Sequence, residues 1–233
     1  MLVNCRALCE NNYIKKGYIY RTGLLEGDNE TDFIKLQEYQ CRYFIDFRSK
    51  KEIAKSAKFV EFLKISKITW INLEIDNLKD LHIIEKPTNY NYGLYYMKIL
   101  ERGEDSIYKF IKFLEEMERI EPIIYGCSLG KDRTGVVSYV LLNILNAKKK
   151  DIYTDYSMSK KYLTSNLNVR EFFRGRQFGH NYVQRCNSNN LILKNFEDMF
   201  IEKYKSFSNY LLQTGITAEM CANIRKKWGY NNE

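Results

Sequence analysis

"YGCSLGKDRTG", Tyr125 to Gly135, gathers a cysteine, glycines, a lysine, an aspartate and an arginine between two apolar runs. Pro122 closes a helical pattern, and "IIY" (123–125) then reads as a short buried strand running straight into this stretch. "VVSYVLLNILN" (136–146) follows and is apolar nearly all round, as a helix buried at the centre of a fold would be. The stretch is therefore a strand–loop–helix connection. A loop that opens a helix presents unpaired backbone N–H groups and the positive end of the helix dipole, and so attracts a phosphate dianion. Gly130 lets the backbone curl with its amides inward, and Gly135 permits close helix packing.

Each polar residue of the loop has a chemical use there. Helix N-termini and nearby cations lower a thiol pKa from about 8.5 into the range of roughly 3.5 to 7.5, so Cys127 reads as a nucleophile aimed at phosphorus. Arg133, six positions on, offers a planar fork to two phosphate oxygens and to the equatorial charge of a transition state. Asp132 is the candidate general acid and then base, Thr134 a donor to the sulfur, and Lys131 a cation beside the phosphate. The expected phosphate cradle is Ser128, Leu129, Gly130, Lys131, Asp132, Arg133 and Thr134. A Walker nucleotide loop is excluded, because its glycine spacing is absent before Lys131 and Asp, not Ser or Thr, follows it.

The whole chain bounds what this loop can serve. With 233 residues and 45% hydrophobic content it buries one sizeable core, which excludes a disordered chain. No apolar run approaches the roughly 18 residues of a membrane span, and "MLVNCRALCENNY" has no signal-peptide pattern. The expected location is cytoplasmic, or secreted without a recognisable signal peptide. The net charge of +8 admits an anionic partner and a peripheral contact with anionic lipid, but only "NAKKK" (146–150) is a concentrated basic run, so nucleic acid is not expected. Six cysteines at 5, 9, 41, 127, 186 and 221 form neither a disulfide framework nor a paired metal motif, and only His82 and His180 are available as imidazole ligands. No metal or other cofactor is expected.

Alternating short elements in the first half favour an α/β layer architecture. Strands are expected at "GYIYRTG" (17–23), "RYFIDF" (42–47) and "KITWINLE" (67–74), the last two buried. Helices are expected at "ETDFIKLQEYQ" (30–40) with Thr31 or Asp32 as cap, at 90–103, and at 105–120 with Asp105 or Ser106 as cap. Beyond Lys150 the chain is helical: residues 151–206 read as a helical lid within a single domain of 1–233. Its part at 168–190, with Arg170, Arg174, Arg176 and Arg185 among Phe172, Phe173 and Phe178, reads either as a flap that closes over the loop or as an ordinary amphipathic helix with its polar face in water.

"CSLGKDRTG" resembles the signature of cysteine-dependent tyrosine phosphatases, and its "GKDRTG" form is similar to the bacterial tyrosine/serine phosphatase family that includes atypical lipid phosphatases. "YIYRTGLL" (18–25), "FIDFRSKKE" (44–52), "DIYTDYSMSKKYL" (151–163) and "SNYLLQTGIT" (208–217) are similar to further segments of that family, so nearly the whole chain is covered. The resemblance implies a tyrosine-phosphatase-like sheet flanked by helices with a helical C-terminus. It implies phosphomonoester hydrolysis on phosphotyrosine, with phosphoserine, phosphothreonine and phosphoinositides as further substrates, through a phosphocysteine at Cys127. It also implies that Lys131 favours highly charged substrates and makes Asp46 an accessory candidate, beside its alternative as an anchor for Arg48 or Arg21. Asp76, in "NLEIDNLKD", is a second accessory candidate for a mobile acid. One position departs from the family: Gly126 stands where a histidine usually precedes the cysteine, which opens the alternative of a phosphate-binding relative with little turnover.

Overall fold

The computed structural model describes residues 2–9, 14–25, 30–76, 88–174 and 182–229. His82, His180, Arg176 and Phe178 lie outside them, as does the middle of the expected flap. Five strands form one sheet in the order β1-β2-β5-β3-β4, with β1 (Leu2–Ala7), β2 (Ile19–Leu24), β3 (Tyr43–Asp46), β4 (Thr69–Asn72) and β5 (Ile123–Cys127). β1 runs antiparallel to β2 at one edge, and the other four are parallel. The strands expected from the sequence are β2, β3, β4 and β5; β1 was not foreseen.

Alternation along the central strands splits the core in two. Phe44 and Ile124, paired in register, face a cluster with Leu36, Phe59 and Leu63 from α1 (Glu30–Glu38) and α3 (Ala57–Ile65). Ile45 and Tyr125, the next pair, face the larger cluster on the other side. That side holds α4 (Asn89–Arg102), α5 (Glu104–Glu116), α6 (Asp132–Ile144), α10 (Asn190–Tyr204), α11 (Phe207–Gln213) and α12 (Ala218–Trp228). α6 is buried along almost its whole length, as its uniformly apolar sequence predicts. Of the segment 151–206, α7 (Lys149–Thr164) packs on β1 and α10 on α4, both with buried inner faces. α8 (Leu167–Phe173) and α9 (Tyr182–Arg185) flank a cluster in which Val3, Leu25, Val169, Phe173 and Cys186 meet Leu129 of the loop.

Three local expectations are corrected. β4 is an edge strand and only half-buried. α1 begins at Glu30, which puts Thr31 and Asp32 inside its first turn. α5 begins at Glu104 after Gly103, with no side-chain cap, and ends at Glu116 where Met117 turns extended, well before Pro122. Among the described residues no helix is long and apolar enough to cross a membrane.

Candidate active site

In an open parallel sheet, ligands bind beyond the carboxyl ends of the strands. β5 ends at Cys127 between β2 and β3, so the loop emerges at the middle of that edge. Gly130 turns it with φ of 64°, and α6 starts at Asp132. Lys131 precedes α6 as its N-cap and supplies no side-chain cap, so the first amides of the helix stay available. Among the described residues, the amides of residues 128–131 donate to no backbone carbonyl. The loop is therefore a run of amides without backbone acceptors among the described residues, at a helix N-terminus, with Cys127 buried at its start.

The Thr134 hydroxyl donates to Cys127 Sγ at 3.1 Å from the first turn of α6. Arg133, the second residue of that helix, is gripped by Glu52: Nη1 donates to Oε2 at 2.9 Å and Nη2 to Oε1 at 2.7 Å, a fork-on-fork pair. Nη1 also meets the carbonyls of Phe47 and Ile75 at 3.3 Å, and Nη2 meets Ser128 Oγ at 3.3 Å. Ser128 in turn donates to Glu52 Oε1 at 2.5 Å. Burial raises the Glu52 carboxyl, but the Arg133 hydrogen bonds and charge, with those of Ser128 and Ser49, hold it well below the ordinary carboxylate range. Burial lowers Arg133, and Glu52 with the nearby Cys127 more than reverses this, so the guanidinium is raised.

Glu52 was not singled out in the sequence as a site residue. Its legible signal is the capping box of α2 (Lys50–Ala54), in which the Ser49 side chain accepts from the Glu52 amide and Glu52 reaches back to the Ser49 amide. The same carboxylate that caps α2 orients the arginine of the loop.

The remaining sequence-derived residues divide. Asp132 stands in the first turn of α6, and its Oδ1 accepts from Tyr96 Oη at 2.8 Å and from Lys131 Nζ at 2.7 Å. Both donors take the same oxygen. Lys131 is fully buried: its ammonium lies 4.4 Å from the centroid of the Tyr92 ring and donates to the Asn187 carbonyl at 3.2 Å. It is thus committed to Asp132, Tyr92 and the segment before α10. Burial lowers this ammonium, and Asp132 and Tyr92 raise it above its ordinary value.

Of its two alternatives, Asp46 takes the anchor. Its carboxylate is spent on Arg48, with Nε to Oδ1 at 3.0 Å and Nη2 to Oδ2 at 2.8 Å, in a corner that Asn72 closes onto the carbonyls of both residues. Asp46 is the anchor of the sheet end. Asp76 is exposed and pairs with Arg102 at 2.8 Å; it follows Ile75, whose carbonyl touches Arg133.

Gly126 has a steric cause. A Cβ there would lie 2.2 Å from the Thr22 carbonyl oxygen and 2.9 Å from its carbonyl carbon, because β2 backbone lies directly against it. Gly130 and Gly23 are equally tight, each Cβ falling 2.4 Å from backbone of the other segment, so loop and β2 form one close-packed unit.

The sequence pattern of the Tyrosine phosphatase family matches residues 2–229. The chain belongs to the tyrosine phosphatase family. By that membership it is a phosphatase of the cysteine-dependent kind, with a five-stranded sheet flanked by helices. Among solved structures it is similar to the core catalytic domain of the PP-IP phosphatase SIW14 from S. cerevisiae in complex with citrate, at 12% identity and a TM-score of 0.43, covering 85% of this chain and 94% of that one. It is also similar to P. aeruginosa TpbA, at 12% identity and a TM-score of 0.35, covering 83% of this chain and 91% of that one. A TpbA structure in complex with pTyr matches at 11% identity and a TM-score of 0.35, covering 78% and 94%. No curated protein matches the chain. Among the described residues of this phosphatase, no group of three His, Cys, Asp or Glu side chains is placed to hold a metal ion.

Proposed function

We propose that this phosphatase hydrolyses phosphomonoesters through a phosphocysteine at Cys127, with phosphotyrosine as its preferred substrate class and phosphoserine, phosphothreonine and phosphoinositides following. The observation that carries this is the Thr134–Cys127 contact at the start of a loop whose amides have no backbone acceptor among the described residues. The phosphate sits on the amides of residues 128–133 and on the Arg133 fork. Nε is the Arg133 donor without a partner among the described residues, and the 3.3 Å contact of Nη2 to Ser128 is the one most readily exchanged for a phosphate oxygen.

The Cys127 thiolate attacks phosphorus from the side opposite the ester oxygen. The P–O bond breaks, and that oxygen takes a proton from Asp132. Water then attacks the phosphocysteine, Asp132 takes back a proton, the S–P bond breaks, and the Thr134 hydroxyl stabilises the departing thiolate. The Arg133 fork, held by Glu52, stays aligned with the equatorial oxygens through both steps.

The order of substrates follows from Lys131. An ammonium sealed against Tyr92, Asp132 and Asn187 adds no free charge for the extra phosphates of an inositol ring. Phosphate release in the presence of a chelator, from a phosphotyrosine peptide, a phosphoserine peptide and a soluble phosphoinositide, tests the proposal against Cys127→Ser. Cysteine-dependent release fastest from phosphotyrosine is expected. Release that survives Cys127→Ser, or binding of all three without release, contradicts it.

A further inference from the structure

The amides of a loop face a phosphate only if its carbonyls are turned the other way, because the C=O and the following N–H of a trans peptide point in opposite directions. The described residues contain no cis peptide. Two loop carbonyls are held from behind by side chains. Asn4 Nδ2 donates to the carbonyls of Leu129 at 3.1 Å and Gly130 at 2.9 Å, and Arg21 Nη2 donates to the Gly130 carbonyl at 2.8 Å. Those three bonds fix the two peptides whose other ends are the N–H groups of Gly130 and Lys131. Both N–H groups are thereby directed away from β1 and β2.

The holders are themselves built in. β1 shifts register between Val3 and Arg6, and Asn4 within that irregularity takes φ of 52°, which turns its carboxamide toward the loop. Asn4 is 2% exposed and Arg21 is fully buried. Arg21 Nη1 donates to Asp155 of α7, whose other oxygen accepts from the Cys9 amide at 3.2 Å. Arg6 donates to the Asp155 carbonyl at 2.7 Å, to Ser159 Oγ at 3.2 Å, and to Asn4 through its carbonyl and Oδ1. Burial and the neighbouring Arg21 lower Arg6 to about 10, which leaves it charged at neutral pH. Two guanidiniums therefore share one carboxylate, leaving one positive charge in excess behind the loop. None of these residues reaches the open side.

We infer that Asn4 and Arg21, braced by Arg6 and Asp155, are the positioning residues that set the phosphate loop of this enzyme, in a chain whose Gly126 leaves no room for a side chain before the cysteine. This rests on the proposed phosphate site. The arrangement gives β1 and α7 a direct part in anion binding: they aim two amides that a substrate phosphate would meet.

Asn4→Gly is the cleanest perturbation, since glycine accepts the same φ and keeps the backbone carbonyl that Arg6 uses. Calorimetric binding of orthovanadate to the full chain is the readout. Arg21→Lys, which keeps a charge for Asp155 without the second donor for Gly130, is the companion, and Ile224→Val in the buried face of α12 is a control for destabilisation alone. Asn4→Gly and Arg21→Lys are expected to weaken vanadate about tenfold, the worth of one misdirected hydrogen bond, while Ile224→Val leaves it unchanged. Wild-type affinity in folded Asn4→Gly or Arg21→Lys overturns the inference, as does equal weakening by Ile224→Val. A wild type that binds no vanadate overturns the proposed function and the inference together.

Discussion

Replacing Glu52 by glutamine keeps the shape of the side chain but removes the charge opposite Arg133. The pair is bidentate at 2.7 and 2.9 Å, with Arg133 6% and Glu52 18% exposed at the side chain. Breaking a fully buried pair from one side costs about 3–5 kcal/mol; the partly wet face of Glu52 reduces this to about 2–3 kcal/mol. For a chain of this length that lowers the melting temperature by about 5–10 °C. Activity falls further, since a guanidinium that drifts by an ångström from the phosphate costs about 10²-fold in kcat/KM. The pH dependence gives an independent check. The folded carboxyl is held below its unfolded value of 4.5, so its stabilisation is complete above that value and is lost as pH falls through it toward the folded value. The gap between wild type and Glu52→Gln, measured by urea denaturation, is therefore constant from pH 8 to about 6 and narrows below about 4.5. A variant with unchanged melting temperature and kcat/KM, or a gap that stays constant to pH 3, refutes the role assigned to Glu52.

Restoring the histidine that usually precedes the cysteine in this family is expected to harm this enzyme: Gly126→His drives a Cβ against the Thr22 backbone, costing about 2–3 kcal/mol in urea denaturation and lowering kcat/KM. A variant as stable as wild type and more active contradicts the steric account. Lys131→Met leaves Asp132 with Tyr96 alone and is expected to lower stability by about 2 kcal/mol while the ratio of phosphotyrosine to phosphoinositide turnover stays constant. A selective loss on phosphoinositides would place the ammonium at the substrate. Asp132→Asn is expected to slow alkyl phosphates about 10²-fold but p-nitrophenyl phosphate far less, because nitrophenolate leaves without a proton; equal losses on both remove Asp132 from proton transfer.

The strand, loop and helix from 123 to 146 were legible because each obeys a local rule: an apolar strand, a glycine turn and a uniformly apolar helix. The strand β1 was not, since Asn4 and Arg6 interrupt its apolar pattern and point at the back of the loop and at Asp155, not at water. Lys131 is an ordinary loop cation in the sequence. Its burial depends on Tyr92 and on Asn187, a partner 56 residues away, which no local pattern announces. Asp46 had two alternatives in the sequence, and the proximity of Arg48 in "DFR" decides for the anchor. Gly126, a loss when the chain is compared with its family, is in the fold the consequence of β2 lying hard against the loop.

Covalent capture of the intermediate tests the central claim most directly. Wild-type enzyme mixed with a phosphotyrosine substrate and quenched within one turnover is digested and weighed by mass spectrometry under conditions that preserve the thiophosphate bond. A phosphoryl group on the peptide carrying Cys127, absent from Cys127→Ser and longer-lived in Thr134→Ala, is the expected result. Burst-free release of phosphate with Cys127 unmodified at every time point would contradict it.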